Sequence, residues 1–200
     1  MILTRLTPEA LPIETKALAE ALIGCILVRE SGEGLTAGRI VETEAYLPGD
    51  PACHAFSGKS RRNATLFGPP HRAYVYQIYG TSFCFNLSSE SDGKGAGVLV
   101  RALEPTEGLP IMRARREIER VRDLCRGPGR LCRALAIDRS LDGLDIFSHP
   151  QLWLARATTA RTRVGRSRRI GVTRAADRRL RFYEAGSPYV SGPARLSPPA

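Results

Sequence analysis

Along this chain the spacing of apolar positions changes period several times, and each change marks an element. Leu18, Ala19, Leu22 and Ile23 recur at helical spacing behind the start Thr7-Pro8-Glu9, which predicts an opening helix ended by Gly24. Cys25-Ile26-Leu27-Val28 reads as a strand, and Gly32 to Gly34 turns the chain into Arg39-Ile40-Val41-Glu42-Thr43-Glu44-Ala45-Tyr46, where side chains alternate between two faces. Further strands are predicted over 73–79 and 82–88, joined through Gly80-Thr81 as a tight hairpin, and over Val98–Leu103. From Glu107 to about Leu124 the pattern is helical, with Leu109, Met112, Ile118 and Val121 apolar and arginine on the remaining face. Gly127-Pro128-Gly129-Arg130 breaks it and opens a second short helix through Leu135. Short apolar strands at 151–155 and 180–183 flank the basic segment 161–181, and the Pro-rich tail from about Gly192 is expected to fray. With no internal repeat and no linker, the reading is α+β and a single domain over 1–200.

Composition adds a partner class. The net charge is +10, and 27 of the 30 basic residues are arginine. Residues 1–112 carry 10 basic and 12 acidic side chains, whereas residues 113–200 carry 20 and 8, so the halves differ as −2 and +12. Such asymmetry suggests a polyanion-binding face beside a near-neutral half, and the arginine fork suits phosphate. A general bias toward arginine is the alternative. The five cysteines (Cys25, Cys53, Cys84, Cys125, Cys132) form no C-x-x-C pair, which argues against both a disulfide framework and a zinc site. No apolar run reaches the roughly 20 residues of a membrane span. The chain is therefore read as a soluble, cytoplasmic protein with no membrane partner.

The candidate chemistry begins in the strand 39–46. Period-2 alternation puts Glu42, Glu44 and Tyr46 on one face, where two acids beside an aromatic suggest a site; an edge strand with its acids in water is the plain alternative. Arg101, among apolar neighbours, needs a carboxylate, a phosphate or a stacking partner, and Glu42 or Glu44 would serve. Tyr79 sits at the hairpin tip, placed either to wedge between stacked bases or to fold back on its own hairpin. Asn86 falls on the face opposite Phe83, Phe85 and Leu87. His54 lies in the turn-rich connection 48–72, whose length suggests a functional or disordered loop; a solvated bystander is its plainer reading. The segment Gly127–Arg130 offers backbone N–H groups and a cation for a phosphate, or a simple helix–helix turn.

These residues carry a specific resemblance. Arg39–Tyr46, Phe67-Gly68-Pro69-Pro70, Ala73–Gly80, Phe83–Ser89 and Val98–Pro105 resemble, in order, the alkyladenine (3-methyladenine, methylpurine) DNA glycosylases. Leu131–Ile137, Arg169-Ile170-Gly171-Val172 and Arg181-Phe182-Tyr183 extend the likeness over about residues 5 to 190. It implies one mixed α/β domain around a curved antiparallel sheet with a protruding hairpin. It also implies a monomeric, monofunctional base-excision enzyme that acts on damaged purines in double-stranded DNA and needs neither metal nor cofactor. Position by position, Glu44 falls on the general base that activates a water, and Arg101 and the backbone carbonyl of Ile170 on that water's other contacts. Tyr46, His54 and Tyr76 fall on the walls around the flipped base, and Asn86 on the residue that screens purines. Tyr79 falls on the tyrosine inserted into the duplex, and Arg130 and Gly171 on phosphate contacts. Glu42 gains no role.

The departures cluster in one loop: Pro48-Gly49, Cys53, Lys59-Ser60-Arg61-Arg62-Asn63 and His71 each differ from the usual family pattern. They bear on loop path and substrate breadth. Two other classes compete. A non-catalytic nucleic-acid-binding module would use the same basic half and aromatics. A carbohydrate hydrolase with Glu42 and Glu44 as its acid pair is disfavoured, because carboxylates at i and i+2 point the same way and do not flank a bond.

Overall fold

The computed structural model describes residues 3–78, 80–156 and 163–197. Eight antiparallel strands form one curved sheet: β1 (Ile26–Ser31), β2 (Gly34–Tyr46), β3 (Ala73–Ile78), β4 (Ser82–Ser88), β5 (Gly97–Glu107), β6 (Leu152–Ala155), β7 (Val164–Ser167) and β8 (Arg181–Glu184). Their order is β3-β4-β5-β2-β1-β6, and β8 joins β2 and β7 off that path. Helices α1 (Thr15–Ala21), α2 (Leu109–Arg116), α3 (Val121–Leu124) and α4 (Pro128–Ala134) complete the fold. Leu18 of α1, Met112 of α2 and Leu131 of α4 bury in one cluster with Ile40 of β2 and Val100 and Leu103 of β5. The α+β single-sheet architecture is as expected.

The long strand β2 explains why acids are found deep in the sheet. Its first half pairs with β1, and from Glu42 to Glu44 it pairs instead with β8, while β5 lies along the other side throughout. Glu42 and Glu44 thus sit in the middle of three strands and are fully buried, which overturns the alternative of an edge strand with its acids in water. The β2–β5 register slips and recovers around them. Ile40 faces Leu103, Glu42 faces Ala102 and Thr43 faces Val100, so Val41 and Arg101 are each left without an opposite residue. Such bulges re-aim a side chain. Here the re-aimed side chain is Arg101.

Several elements depart from the pattern in the sequence. The opening helix is two pieces: a 3-10 turn at Pro8–Ala10, then α1 after Pro12. The Glu14 side chain caps α1 by accepting from the N–H groups of Lys16 and Ala17. The single helix expected over 107–124 does not form either. Strand β5 runs on to Glu107, and Glu117 adopts φ 55° and closes α2 by donating its N–H to Arg113 O. Strand β7 was hidden in the basic segment, where arginine masks any apolar period. The tail expected to fray from about residue 192 packs back as far as Ser197, because Leu196 O and Ser197 Oγ accept hydrogen bonds from buried Arg181. The connection 48–72 is held rather than loose. Asn63 accepts from Ser60 N and donates to His54 O and Gly58 O.

Candidate active site

Between the loop 48–72, the hairpin β3–β4 and the segment before β8 lies a cavity of about 490 Å³. Tyr46, Cys53, His54, Tyr74, Tyr76, Asn86, Gly171 and Arg174 are among the residues that line it. Four of the expected base-pocket residues, Tyr46, His54, Tyr76 and Asn86, are thus brought together from β2, the loop, β3 and β4. His54 Nδ1 lies 3.1 Å from the Tyr74 hydroxyl, and its ring meets that of Tyr76 edge-on at 4.4 Å between centroids. His54 is exposed to solvent, but it is no bystander: it lines the cavity and its ring meets both tyrosines. Partial desolvation among the tyrosines, helped by nearby Arg62, lowers its imidazole from the ordinary histidine value. Asn86 Nδ2 donates to Tyr74 O across the hairpin at 3.1 Å, which fixes the amide plane at the cavity wall. Burial raises the Tyr74 phenol to about 12.

Glu44 lies behind Tyr46. The Tyr46 hydroxyl donates to Glu44 Oε2 at 2.8 Å, Arg101 Nη1 lies 3.2 Å from the same oxygen, and the Ile170 N–H donates to Oε1 at 2.7 Å. Burial pushes the Glu44 carboxyl up. Arg101, the Ile170 N–H and the Tyr46 hydroxyl pull it down without cancelling that, and the like charge of Glu42 adds to the rise. The Ile170 contact seen here is through its N–H, whereas the resemblance concerned its carbonyl. Arg101 reaches both acids, since its Nε donates to Glu42 Oε1 at 3.0 Å. The two carboxylates named as its possible partners both serve.

Other positions lie elsewhere. Arg130 is exposed at the start of α4, beside Arg116, Arg133 and Ser82 of the hairpin, where a separate depression of about 320 Å³ opens. Gly171 lines the base cavity at φ 76°, a left-handed conformation that favours glycine. Tyr79 lies outside the described residues. Arg174 lines the cavity, and further exposed arginines stand on the loops that build it: Arg61 and Arg62 on one, and Arg168, Arg178 and Arg179 on the other.

The family model for methylpurine-DNA glycosylase (MPG) matches residues 9–188. The chain belongs to this family. Relatives named "Putative 3-methyladenine DNA glycosylase" include one from Mesorhizobium japonicum, 55% identical over 186 residues, which are 93% of this chain and 89% of that protein. A second, from Methanoculleus marisnigri, is 45% identical over 181 residues, covering 89% of this chain and 94% of its own length. Among the described residues no helix is long and apolar enough to cross a membrane.

Against this methylpurine-DNA glycosylase background, four residues at the site were not singled out from the sequence. Arg169 and Asp50 form a fully buried pair, Nη1 to Oδ2 at 2.6 Å and Nη2 to Oδ1 at 3.1 Å, and the Arg169 guanidinium stacks over the Tyr46 ring. Arg181 and Ser191 both bind Glu42. Their only signal in the sequence was indirect: Arg169 and Arg181 each open a stretch that carried the family likeness.

Proposed function

We propose that this chain is a monofunctional DNA glycosylase that extrudes alkylated or deaminated purines (3-methyladenine, 7-methylguanine, hypoxanthine and ethenoadenine are the class) and hydrolyses their N-glycosidic bond. The observation that carries this reading is the placement of Glu44: a buried carboxylate immediately behind the tyrosine that lines a cavity roomy enough for a purine, with Arg174 in its wall. A flipped nucleotide costs a few kcal/mol to extrude, and damaged bases come out more readily.

Glu44 is the base in this reading, and lone-pair counting says where its water sits. Among the described residues, Oε2 accepts from Tyr46 and faces Arg101, while Oε1 accepts only from the Ile170 N–H, which leaves an acceptor site on Oε1 beside the 170–174 segment. Water held there attacks C1′ as the C1′–N bond breaks. The bonding pair leaves with the base, and Glu44 takes the water's proton. An ionised Glu44 also offsets the oxocarbenium charge that develops on the sugar. A cationic alkylated base departs neutral, so it needs no proton; the uncharged lesions need one from water or a side chain. Arg101 keeps Glu44 nearer to ionisation than burial alone would allow.

Tyr46, Tyr76 and His54 form the aromatic lining against which a base stacks, and Asn86 presents an amide to its edge. In this reading Tyr79 fills the vacated stack, and Arg130 and the backbone at Gly171 meet phosphates. Glu42 does not act as a second catalytic acid, because four donor groups already bind its carboxylate. Among the described residues the cavity is lined by no amine either. The three lysines are Lys16, Lys59 and Lys94, and none lines the cavity. The reading is tested by excision assays over a panel of lesion duplexes, with borohydride trapping and a denaturing gel run before alkali. Release of free base from an intact, untrapped strand is expected. No released base would favour a binding module, and a covalent adduct would overturn the monofunctional assignment.

A further inference from the structure

Behind Glu44 lies a second layer of buried charge that the proposed chemistry does not use. Glu42 Oε1 accepts from Arg101 Nε at 3.0 Å, from Arg181 Nε at 2.6 Å and from Ser191 Oγ at 3.0 Å, and its Oε2 accepts from the Ser191 N–H at 2.5 Å. Arg181 is fully buried and faces no solvent, so it is not a phosphate ligand. Its remaining donors go to Ser167 Oγ at 2.8 Å, Leu196 O at 2.9 Å, Ser191 O at 3.4 Å and Ser197 Oγ at 2.7 Å. Arg101 in turn gives Nη2 to Ser191 Oγ at 3.3 Å, and its Nη1 faces Glu44. One guanidinium therefore bridges two carboxylates, and one end of that bridge is pinned by β8 and by the chain's C-terminal segment.

We propose that Glu42, clamped by Arg181 and Ser191, is a positioning residue for the glycosylase reaction, holding the Arg101 guanidinium in the one orientation that presents Nη1 to Glu44. The inference rests on the reading of Glu44 as the base. Arg101 is the unpaired, bulged residue of β5, so the strand ladder alone does not fix its direction. Its orientation comes from its partners. A long side chain held at Nε and Nη2 has little rotational freedom left, and Nη1 is then directed. The charges also balance: Glu42 and Glu44 against Arg101 and Arg181. Losing the Glu42 charge would leave Arg101 wholly to Glu44.

The consequence is a coupling between Glu42 and the ionisation of Glu44, with a definite sign. The titratable and charged groups around Glu44 are Glu42 and Tyr46 on β2, Arg101 on β5, Cys84 on β4 and Arg181 on β8 behind Glu42; the Arg169–Asp50 pair lies against Tyr46. Removing the negative charge at 42 removes a like charge and unshares a cation, and both favour ionised Glu44. The pH below which excision fails should therefore move down, not up.

The test is single-turnover excision from a hypoxanthine-containing duplex across pH, with the full chain and Glu42→Gln. The amide keeps an acceptor for Arg101 but not the charge. Half-saturating DNA concentration should be unchanged and the maximal rate should fall about tenfold, while the acid limb moves about one unit toward lower pH. A folded Glu42→Gln protein with the wild-type rate and limb would overturn the proposal. Should that variant fail to fold, Ser191→Ala, which removes one hydroxyl from Glu42 and Arg101, should lower the maximal rate about threefold at unchanged DNA affinity; the wild-type rate would overturn the proposal equally. Glu44→Gln is run alongside. If it stays active the reading of Glu44 fails, whereas an inert Glu44→Gln beside a wild-type-like Glu42→Gln sinks the positioning role alone.

Discussion

Arg169 stacks its guanidinium over the ring of Tyr46, 4.7 Å from Cζ to centroid, while both of its Nη groups bind Asp50. One buried arginine thereby joins three parts of the site: the tyrosine that lines the cavity, the start of the loop 48–72, and the backbone just ahead of Ile170. Because the next peptide N–H donates to Glu44, the position of Arg169 is transmitted directly to the carboxylate. A cation already on one face of Tyr46 also makes that ring a poorer partner for a positively charged base. Tyr76 has no cation stacked on its ring among the described contacts.

Replacing Asp50 should therefore cost both stability and alignment. Burial alone would raise the Asp50 carboxyl, but the Arg169 bonds, the Ala52 N–H and Arg178 outweigh it and hold the group below its ordinary value. A carboxyl depressed by folding stabilises above its unfolded pKa and loses that contribution as pH falls through the folded value. Asp50→Asn should destabilise by about 3–5 kcal/mol at neutral pH, the cost of stranding a buried arginine. The difference from wild type should shrink below pH about 4. Urea unfolding at several pH values measures both.

Tyr46→Phe should move the acid limb of excision to higher pH, opposite in sign to Glu42→Gln. The Tyr46 hydroxyl is one of the groups that pull the raised Glu44 carboxyl down, so its loss lets the carboxyl rise further. A shift of about half a unit to one unit is expected, from the loss of one hydrogen bond to the charged form. Rate–pH profiles under single turnover give the answer, and a limb that stays put or moves down would remove Tyr46 from Glu44's control.

The strand around Glu44 was legible because period-2 alternation is a local rule: Glu42, Glu44 and Tyr46 do share a face. What surrounds them was not. Arg101 reaches both acids only because β2 and β5 slip by one residue and recover, and a bulge depends on the partner strand rather than on either sequence alone. Arg169 and Asp50 lie 119 positions apart, and nothing in either neighbourhood announces the other. The helix 107–124 failed for a different reason. Its apolar spacing is helical, but Glu117 takes a left-handed conformation that non-glycine residues seldom adopt, so no local signal marks the break. Tyr46, His54, Tyr76 and Asn86, singled out by the resemblance, line one cavity because the loop folds over the hairpin and the end of β2.

Arg130→Ala should weaken binding to all duplex sequences alike and reduce the slope of log affinity against log salt by about one. Arg130 is exposed beside Arg116, Arg133 and the hairpin's Ser82, well placed for a backbone phosphate and away from the base cavity. Fluorescence anisotropy over a salt series reads the slope, and sequence-dependent loss would place Arg130 against a base instead.

The most direct test of the account is single-turnover base release by Glu44→Gln from lesion duplex at saturating protein. The amide keeps the shape, and its single oxygen can still accept from Tyr46 or from Ile170, but it takes no proton from water. DNA affinity within a few-fold of wild type and a rate lower by about 10²–10⁴-fold are predicted. Retention of more than a few per cent of the wild-type rate (a loss below roughly 10²-fold) would contradict the assignment of Glu44 as the base.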